Sequence, residues 1–509
     1  MENSNNIDNK DTGIPKHKFS EYFYNPMTYV GVFIALLVFI IECFLFAMDF
    51  LSPHPSTYLG MFTYILLPPF LILGLILIPL GASWKRKDVK QGKVKIASKV
   101  FYFDPSLPEH RNALFVFVIG TSVLLLMTAV GSYKAFHFTE SVEFCGKVCH
   151  KIMEPEHTMY LQSPHAKVKC VECHIGAGAD WYVRYKVSGA RMLLSTIQKN
   201  YQRPIPTPVM NLRPARETCE QCHWPGKHFS SFELRKTYFP TEKNESESWY
   251  IRMLVSVGGK EGEGAGIHAH MYKDNEVYYV ADDDKRQVIS WVKSVNKDGK
   301  EVVFTSDNSP YKDKVPPGDK IRKMDCMDCH NRPSHHFRSP NDLMNEALIQ
   351  KQIDSTIPDI KSKSMELLSG HYETENQALL EIPQRLNQYY QKKYPDYFKD
   401  HQTEIITVGQ VLTAIFRNNF FPEMKARWDA YPENIGHWIS PGCFRCHDGE
   451  HKSTQGQIIT RDCKSCHTIL EQGAPGKTEK NADGLEFVHP FNGDESWKEM
   501  NCTDCHAGN

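Results

Sequence analysis

A three-helix membrane anchor, followed by a mainly α-helical and irregular exterior part with a small β insertion, is the architecture this 509-residue sequence predicts. Two observations carry that expectation. Three long apolar runs lie near the N-terminus. Beyond them, fourteen of the fifteen cysteines fall into seven pairs, each followed at once by a histidine.

The pairs are Cys145/Cys149, Cys170/Cys173, Cys219/Cys222, Cys326/Cys329, Cys443/Cys446, Cys463/Cys466 and Cys502/Cys505. The histidines behind them are His150, His174, His223, His330, His447, His467 and His506. Six pairs read C-x-x-C-H, against roughly 0.02 matches expected by chance at this composition. The first, Cys145-Gly-Lys-Val-Cys149-His150, is one residue longer. Two thiols at this spacing can flank one porphyrin edge and add to its vinyl groups, while the adjacent histidine reaches the iron from one face. Zinc sites would combine pairs and need no histidine after each one. A redox dithiol would not recur seven times. The chain therefore reads as a membrane-anchored multihaem cytochrome c with seven c-type haems. With 59 basic and 60 acidic residues it gives no whole-chain signal for nucleic acid.

The apolar runs span Tyr29 to Phe50, Tyr58 to Leu80 and Leu114 to Val130. At about 1.5 Å per residue each can cross a hydrocarbon core of about 30 Å, the third only barely. Pro68-Pro69 predicts a kink in the second. The first starts too late and runs too long for a cleaved signal peptide. Between the second and third runs lie Lys85, Arg86, Lys87, Lys90, Lys93, Lys95, Lys99 and Arg111, whereas Leu51 to Thr57 carries no lysine or arginine. The basic loop and the N-terminus are thus expected in the cytoplasm, with everything after the third helix in the periplasm. This is the side on which haem is attached, so the two arguments agree. The lipid bilayer of the inner membrane is the first expected partner.

Five segments follow: a membrane domain at 1–131, a haem domain with motifs one to three at 132–240, a β-rich insertion at 241–320, motif four with a helical linker at 321–430, and motifs five to seven at 431–509. Within 249–305 apolar residues alternate in strand fashion, and Asn296-Lys-Asp-Gly-Lys300 marks a hairpin.

Each iron has a second axial position. Candidate ligands are His165, His228, His268, His270, His335, His336, His437, His451 and His489, all near or between motifs. His268 and His270 are expected to share one face of a strand. Met153, shortly after His150, offers a thioether to the first iron.

The stretch Ser141-Val-Glu-Phe-Cys145 through Met153, then Tyr160-Leu-Gln-Ser-Pro-His165, Cys170-Val-Glu-Cys-His174 and Lys186-Val-Ser-Gly189, resembles the NapC/NirT/NrfH family of membrane-anchored quinol dehydrogenases over roughly 132–225. The chain departs from the family pattern in its longer first motif, in Met153 standing three residues after the histidine, and in Arg191-Met192 where the family has an acidic residue. The resemblance implies quinol oxidation at the first haem with Lys186 beside the quinol. Three helices with seven haems resemble the inner-membrane cytochromes of metal-reducing bacteria. This implies menaquinol as substrate and periplasmic multihaem c-type cytochromes as partners, ultimately serving extracellular acceptors. A homo-oligomer is compatible with all of this.

Quinol oxidation releases two electrons and two protons. The first two haems can take the electrons singly, and a base must take the protons. Lys186 is the leading candidate; Asp180, Glu154, Glu156 and the intramembrane Glu42 are alternatives. Two other functions remain open: an electron wire docked to a separate quinol-oxidising subunit, and a terminal oxyanion reductase, which would need one iron with an open distal face.

Overall fold

The computed structural model describes residues 21–51, 62–93, 106, 108–175, 179–209, 214–223, 231–241, 248–258, 266–271, 275–490 and 494–506. The chain divides into two compact units, Met1–Val148 and Cys149–Asn509.

The first unit contains α1 (Pro26–Leu51), α2 (Leu67–Lys90) and α3 (Pro108–Thr139). Three spans, Pro26–Met48, Phe62–Lys90 and Val118–Thr139, are long and apolar enough to cross a membrane. Phe33, Phe44, Leu125 and Leu126 are each more than 60% exposed, the inverse of a water-soluble bundle. The expected kink at Pro68-Pro69 is instead a change of helix type. A π-helical turn, Phe62–Leu66, leads into α2, and the prolines sit in its first turn, where their missing N–H groups cost nothing. The third helix is far longer than its apolar run, because polar residues continue its backbone at both ends. The first residues of the second run, from Tyr58, lie outside the described residues.

Small residues bring α1 and α2 together. A Cβ on Gly74 would stand 2.7 Å from the Ala35 amide nitrogen, and one on Gly31 would stand 2.8 Å from the Gly74 carbonyl oxygen. Thr28 Oγ1 donates to the Ile78 carbonyl at 3.3 Å, and Lys85 Nζ donates to the Tyr24 carbonyl at 2.6 Å. The Cys43 thiol reaches Met127 Sδ on α3 at 3.7 Å.

The second unit begins with α4 (His150–Leu161), α5 (Cys170–His174), α6 (Ala179–Gln198) and α7 (Ala215–Cys219). Among the described residues nine strands follow: β1 (Ser231–Tyr238), β2 (Trp249–Ser256), β3 (Asn275–Ala281), β4 (Ile289–Asn296), β5 (Glu301–Thr305), β6 (Arg322–Lys323), β7 (Lys452–Ser453), β8 (His467–Gly473) and β9 (Glu479–Leu485). They form two antiparallel sheets, ordered β1-β2-β8-β9 and β6-β3-β4-β5-β7. The predicted hairpin joins β4 to β5. Asn296 Oδ1 accepts from the amides of Asp298 and Lys300, and Gly299 takes φ +74°. The sheets reach beyond 241–320 on both sides. Glu479-Lys-Asn-Ala-Asp-Gly-Leu485 has no alternation to read; pairing with β8 makes it a strand.

Between the β elements of the chain lie α8 (Cys326–Cys329), α9 (Pro340–Ile349), α10 (Ile360–Ser369), α11 (Glu375–Lys393) and α12 (Pro395–Asn419); α13 (Cys502–Cys505) closes it. Ser339 and Thr374 cap α9 and α11 by accepting from amides three residues on. Ala378, Ile382, Leu386 and Tyr390 recur every four residues on α11, and they meet Ile405, Leu412 and Phe416 of α12 in the main hydrophobic core. Asp359, at φ +54° just before α10, accepts from Lys393 Nζ at 2.6 Å and from the hydroxyls of Tyr394 and Tyr389 at 2.6 and 2.7 Å. Burial alone would raise its pKa; these three donors outweigh it and hold the carboxyl at about 2.

A Gly74→Leu substitution should force α1 and α2 apart, cost about 1–3 kcal/mol or more, and lower the melting temperature in detergent. Because the folded pKa of Asp359 lies below its unfolded value, its contribution is present at neutral pH and lost as pH falls through about 4 to about 2. Melting followed by circular dichroism should therefore show Asp359→Asn destabilised at pH 7, with the gap to wild type closing in acid.

Candidate functional site

Each motif described after the first is one tight turn. The amide N–H of the motif histidine returns to the carbonyl of the first cysteine in His223, His330, His447 and His506, at 2.7 to 3.0 Å. That turn brings both thiols and the imidazole to one place. In the fourth and seventh motifs the residues around the cysteines add capping boxes, Asp325 with Asp328 and Asn501 with Asp504.

Six motif histidines each face a second histidine from a distant segment. The ring centroids are 6.3 Å apart for His174 and His335, 5.9 Å for His223 and His165, and 6.4 Å for His330 and His268. They are 5.9 Å apart for His447 and His270, 6.1 Å for His467 and His437, and 6.2 Å for His506 and His489. A metal held between two imidazoles at about 2 Å from each nitrogen separates the ring centres by about 6 Å. What singles these pairs out is that each joins a motif histidine to a histidine outside its motif, six times over.

The hydrogen bonds agree with this geometry. Nδ1 of His165 meets the Pro333 carbonyl at 3.2 Å, and Nδ1 of His270 meets the Ile267 carbonyl at 2.7 Å. Nδ1 of His335 meets the Glu156 carbonyl at 2.9 Å, and Nδ1 of His447 meets the Thr460 carbonyl at 2.8 Å. With Nδ1 occupied as donor, Nε2 is left with its lone pair, which is how ligand histidines are oriented. Burial lowers the pKa of His174, His330, His335, His447, His467 and His506, and pushes His437 down to about 4. Burial thus favours the neutral imidazole, the form that metal binding requires.

A cavity of about 1550 Å³ is lined by Cys463, His467, His437, Cys502, His489 and His506, so the sixth and seventh motifs enclose a void of porphyrin scale. Consecutive motifs also lie against one another. The thiols of Cys219 and Cys326 lie close enough to perturb one another. Cys173 senses Cys222, Cys329 senses Cys443, Cys466 senses Cys443, and Cys502 senses Cys463. The residues present thus fit the cofactor their spacing implies.

Several expected site residues fall elsewhere. His268 and His270 lie on a 3-10 turn, Ile267–Met271, and not on a strand. At about 120° per residue their side chains diverge, so each meets a different motif histidine. His336 pairs with Glu433 at 2.9 Å and faces no motif histidine among the described residues. His451 is 1% exposed, with Nδ1 on Asp448 at 2.9 Å and Nε2 on the Ile289 carbonyl at 3.1 Å, so both ring nitrogens are used. Glu156 is no available base: it holds Arg332 in a buried ion pair at 2.9 Å and orients His335. His228 lies outside the described residues, as do the side chains of His150 and Asp180. Met153 is half-buried on α4, one turn after His150. Lys186 is half-buried on α6, a helix whose Val187, Met192, Leu193, Leu194 and Ile197 are all more than 50% exposed. Glu42 is half-buried on α1.

In the first unit, the start of the first motif is fixed to the end of α3. Ser141 Oγ donates to the Phe138 carbonyl at 2.8 Å and accepts from the Phe144 amide at 3.1 Å. The rings of Phe138 and Phe144 meet edge to face at 5.4 Å. Cys145 follows directly in a π-helical turn, Phe144–Val148.

Apolar spanning helices joined to a succession of porphyrin-binding motifs define a membrane-anchored multihaem cytochrome c that carries electrons. Residues 107–205 match the N-terminal region of the NapC/NirT cytochrome c family, and residues 437–509 match cytochrome c3. The chain is 40% identical over 500 residues, covering 96% of both chains, to the cytochrome c-type protein ImcH of Geobacter sulfurreducens. No solved structure matches it. The chain belongs to the NapC/NirT cytochrome c family, as its first motifs led us to expect.

If the facing rings are axial pairs, His335→Ala should turn one haem high-spin in the electron paramagnetic resonance spectrum, and His336→Ala should leave the spectrum at wild type.

Proposed function

We propose that the protein is an inner-membrane menaquinol dehydrogenase that binds seven c-type haems and passes electrons through them in chain order to periplasmic multihaem cytochromes. The observation that carries this reading is the attachment of Cys145 to the end of α3. Where α3 leaves the membrane, the first haem follows within a few residues, within reach of a lipid-soluble donor. The bis-histidine pairs proposed here are His174/His335, His223/His165, His330/His268, His447/His270, His467/His437 and His506/His489.

Bound haem would supply one-electron carriers, so that the two electrons of a quinol leave separately. The protein supplies the rest. Lys186 Nζ orients the quinol hydroxyl and accepts its proton. Asp180 and Glu42 are the further proton acceptors. The exposed apolar side chains on the helix that carries Lys186 suit contact with lipid. Products are the quinone, two electrons and two protons.

The first iron has a different environment. Six candidate histidines are matched to the six later motifs, and Met153 remains the candidate nearest in sequence to the first. The contacts between consecutive motifs support an unbranched relay from the second haem to the seventh. A terminal reductase is disfavoured at those six positions, because two histidines would saturate each iron.

Reduction of the purified protein in detergent by a menaquinol analogue, followed by stopped-flow haem absorbance, tests this reading. Lys186→Ala should slow reduction by about 100-fold. If dithionite reduces every haem and quinol reduces none, the protein is an anchored wire fed by another subunit.

A further inference from the structure

The wall of the cavity around the sixth and seventh motifs contains a buried cation. Lys361, at the start of α10, is 6% exposed, and its Nζ donates to the Phe239 carbonyl at 2.5 Å. An ammonium has three donors. Among the described residues no carboxylate lies within 4 Å of it. The carboxylate it senses, Asp342, accepts instead from Ser339 Oγ at 2.9 Å. Arg338 and His336, also on the cavity wall, are paired with Glu346 and Glu433, whereas Arg461 on the same wall donates to backbone carbonyls. A second donor points the same way. Trp438 lines this cavity, stacks on His506 at 3.9 Å, and has a buried Nε1 with no acceptor among the described residues. Tyr238, the neighbour of Phe239, packs against Trp438 at 5.2 Å, so these contacts lead from Lys361 to His506.

A buried ammonium without an anion is strongly unfavourable, so the cavity is built for a ligand that brings one. A porphyrin with propionate side chains is apolar over most of its surface and anionic at one edge. We propose that Lys361 binds a propionate carboxylate of the haem attached at Cys502 and Cys505, and so raises that haem's reduction potential. This rests on the reading that His506 and His489 hold its iron. A fixed positive charge favours the reduced, less positive iron, and local charge and hydrogen bonding are among the means by which a protein sets a haem potential. The effect would draw electrons toward the C-terminal end of the relay.

The test uses full-length protein in detergent, with Lys361→Met removing the charge on a similar stem and Lys361→Arg keeping it. Haem content by pyridine haemochromogen comes first. Fewer than seven haems in the wild type would sink the underlying haem reading and not the role of Lys361. Potentiometric titration of the haem band follows. The proposal expects about one-seventh of the amplitude to move to lower potential in Lys361→Met and to stay in place in Lys361→Arg. A Lys361→Met curve that superimposes on wild type with all haems present would overturn it, as would an equal shift in Lys361→Arg. Thermal unfolding is a second readout. An unpaired lysine replaced by Met should stabilise the protein, whereas a propionate-bound one should destabilise it, so a raised melting temperature also overturns the proposal.

Discussion

The distance between two imidazole rings is the constraint on which the rest of the second unit depends. Every motif histidine described after the first has a histidine about 6 Å away, and that partner lies outside its own motif. His335, beyond the fourth motif, faces the second; His165, before the second motif, faces the third. Such partners can be delivered only by elements that are themselves fixed. The 3-10 turn Ile267–Met271 is anchored by the His268 amide on the Val257 carbonyl, at the end of β2. β2 in turn pairs Val255 with His467, the sixth motif histidine and the first residue of β8. One sheet therefore positions histidines of three different pairs, and the residues between Cys pairs serve as brackets for imidazoles.

The residues inside the motifs also contribute. Asp328, between the cysteines of the fourth motif, is 2% exposed. Its carboxylate accepts from Tyr279 at 2.6 Å, Arg322 at 2.8 Å and Arg286 at 3.2 Å. Its carbonyl accepts from Asn434 at 2.9 Å and from Arg445 at 2.7 Å. Arg445 stands between the cysteines of the fifth motif, so two adjacent motifs share one hydrogen-bonded hub. A buried carboxylate is tolerated only when nearly all its acceptor sites are filled. Here the filled sites also hold two haem-binding turns in register, which a relay needs more than it needs stability.

What was legible in the sequence follows from the range of each signal. The cysteine motifs and apolar runs are local and dense, and they sufficed for the membrane anchor and the family. The β4–β5 hairpin was legible because Asn296 and Gly299 meet a local backbone demand. The histidine pairs were not, since pairing is a tertiary relation: nothing near His335 and His336 says that one turns to His174 and the other to Glu433. His451 misled for the same reason, its ring being consumed by Asp448 and a strand carbonyl. Alternation suggested a strand at His268 and His270, but a tight turn is what can aim two side chains two residues apart at different motifs. Lys361 was invisible because an isolated lysine in sequence is normally solvated.

The distinction between the first motif and the other six gives the molecule a direction. An iron closed by two buried neutral imidazoles can exchange electrons but has no place for a substrate, and its surroundings need handle no protons. On the proposed reading, six such sites taken motif by motif make a conductor. Quinol oxidation, however, releases protons as well as electrons, so it belongs where a titratable side chain and an apolar surface accompany a haem. In the sequence the first motif stands nearest to such features: Cys145 follows the last membrane helix, Met153 follows His150, and Lys186 lies on a helix with exposed apolar side chains. On the proposed reading, proton chemistry stays at the membrane end, and electrons alone travel toward the C-terminal motifs.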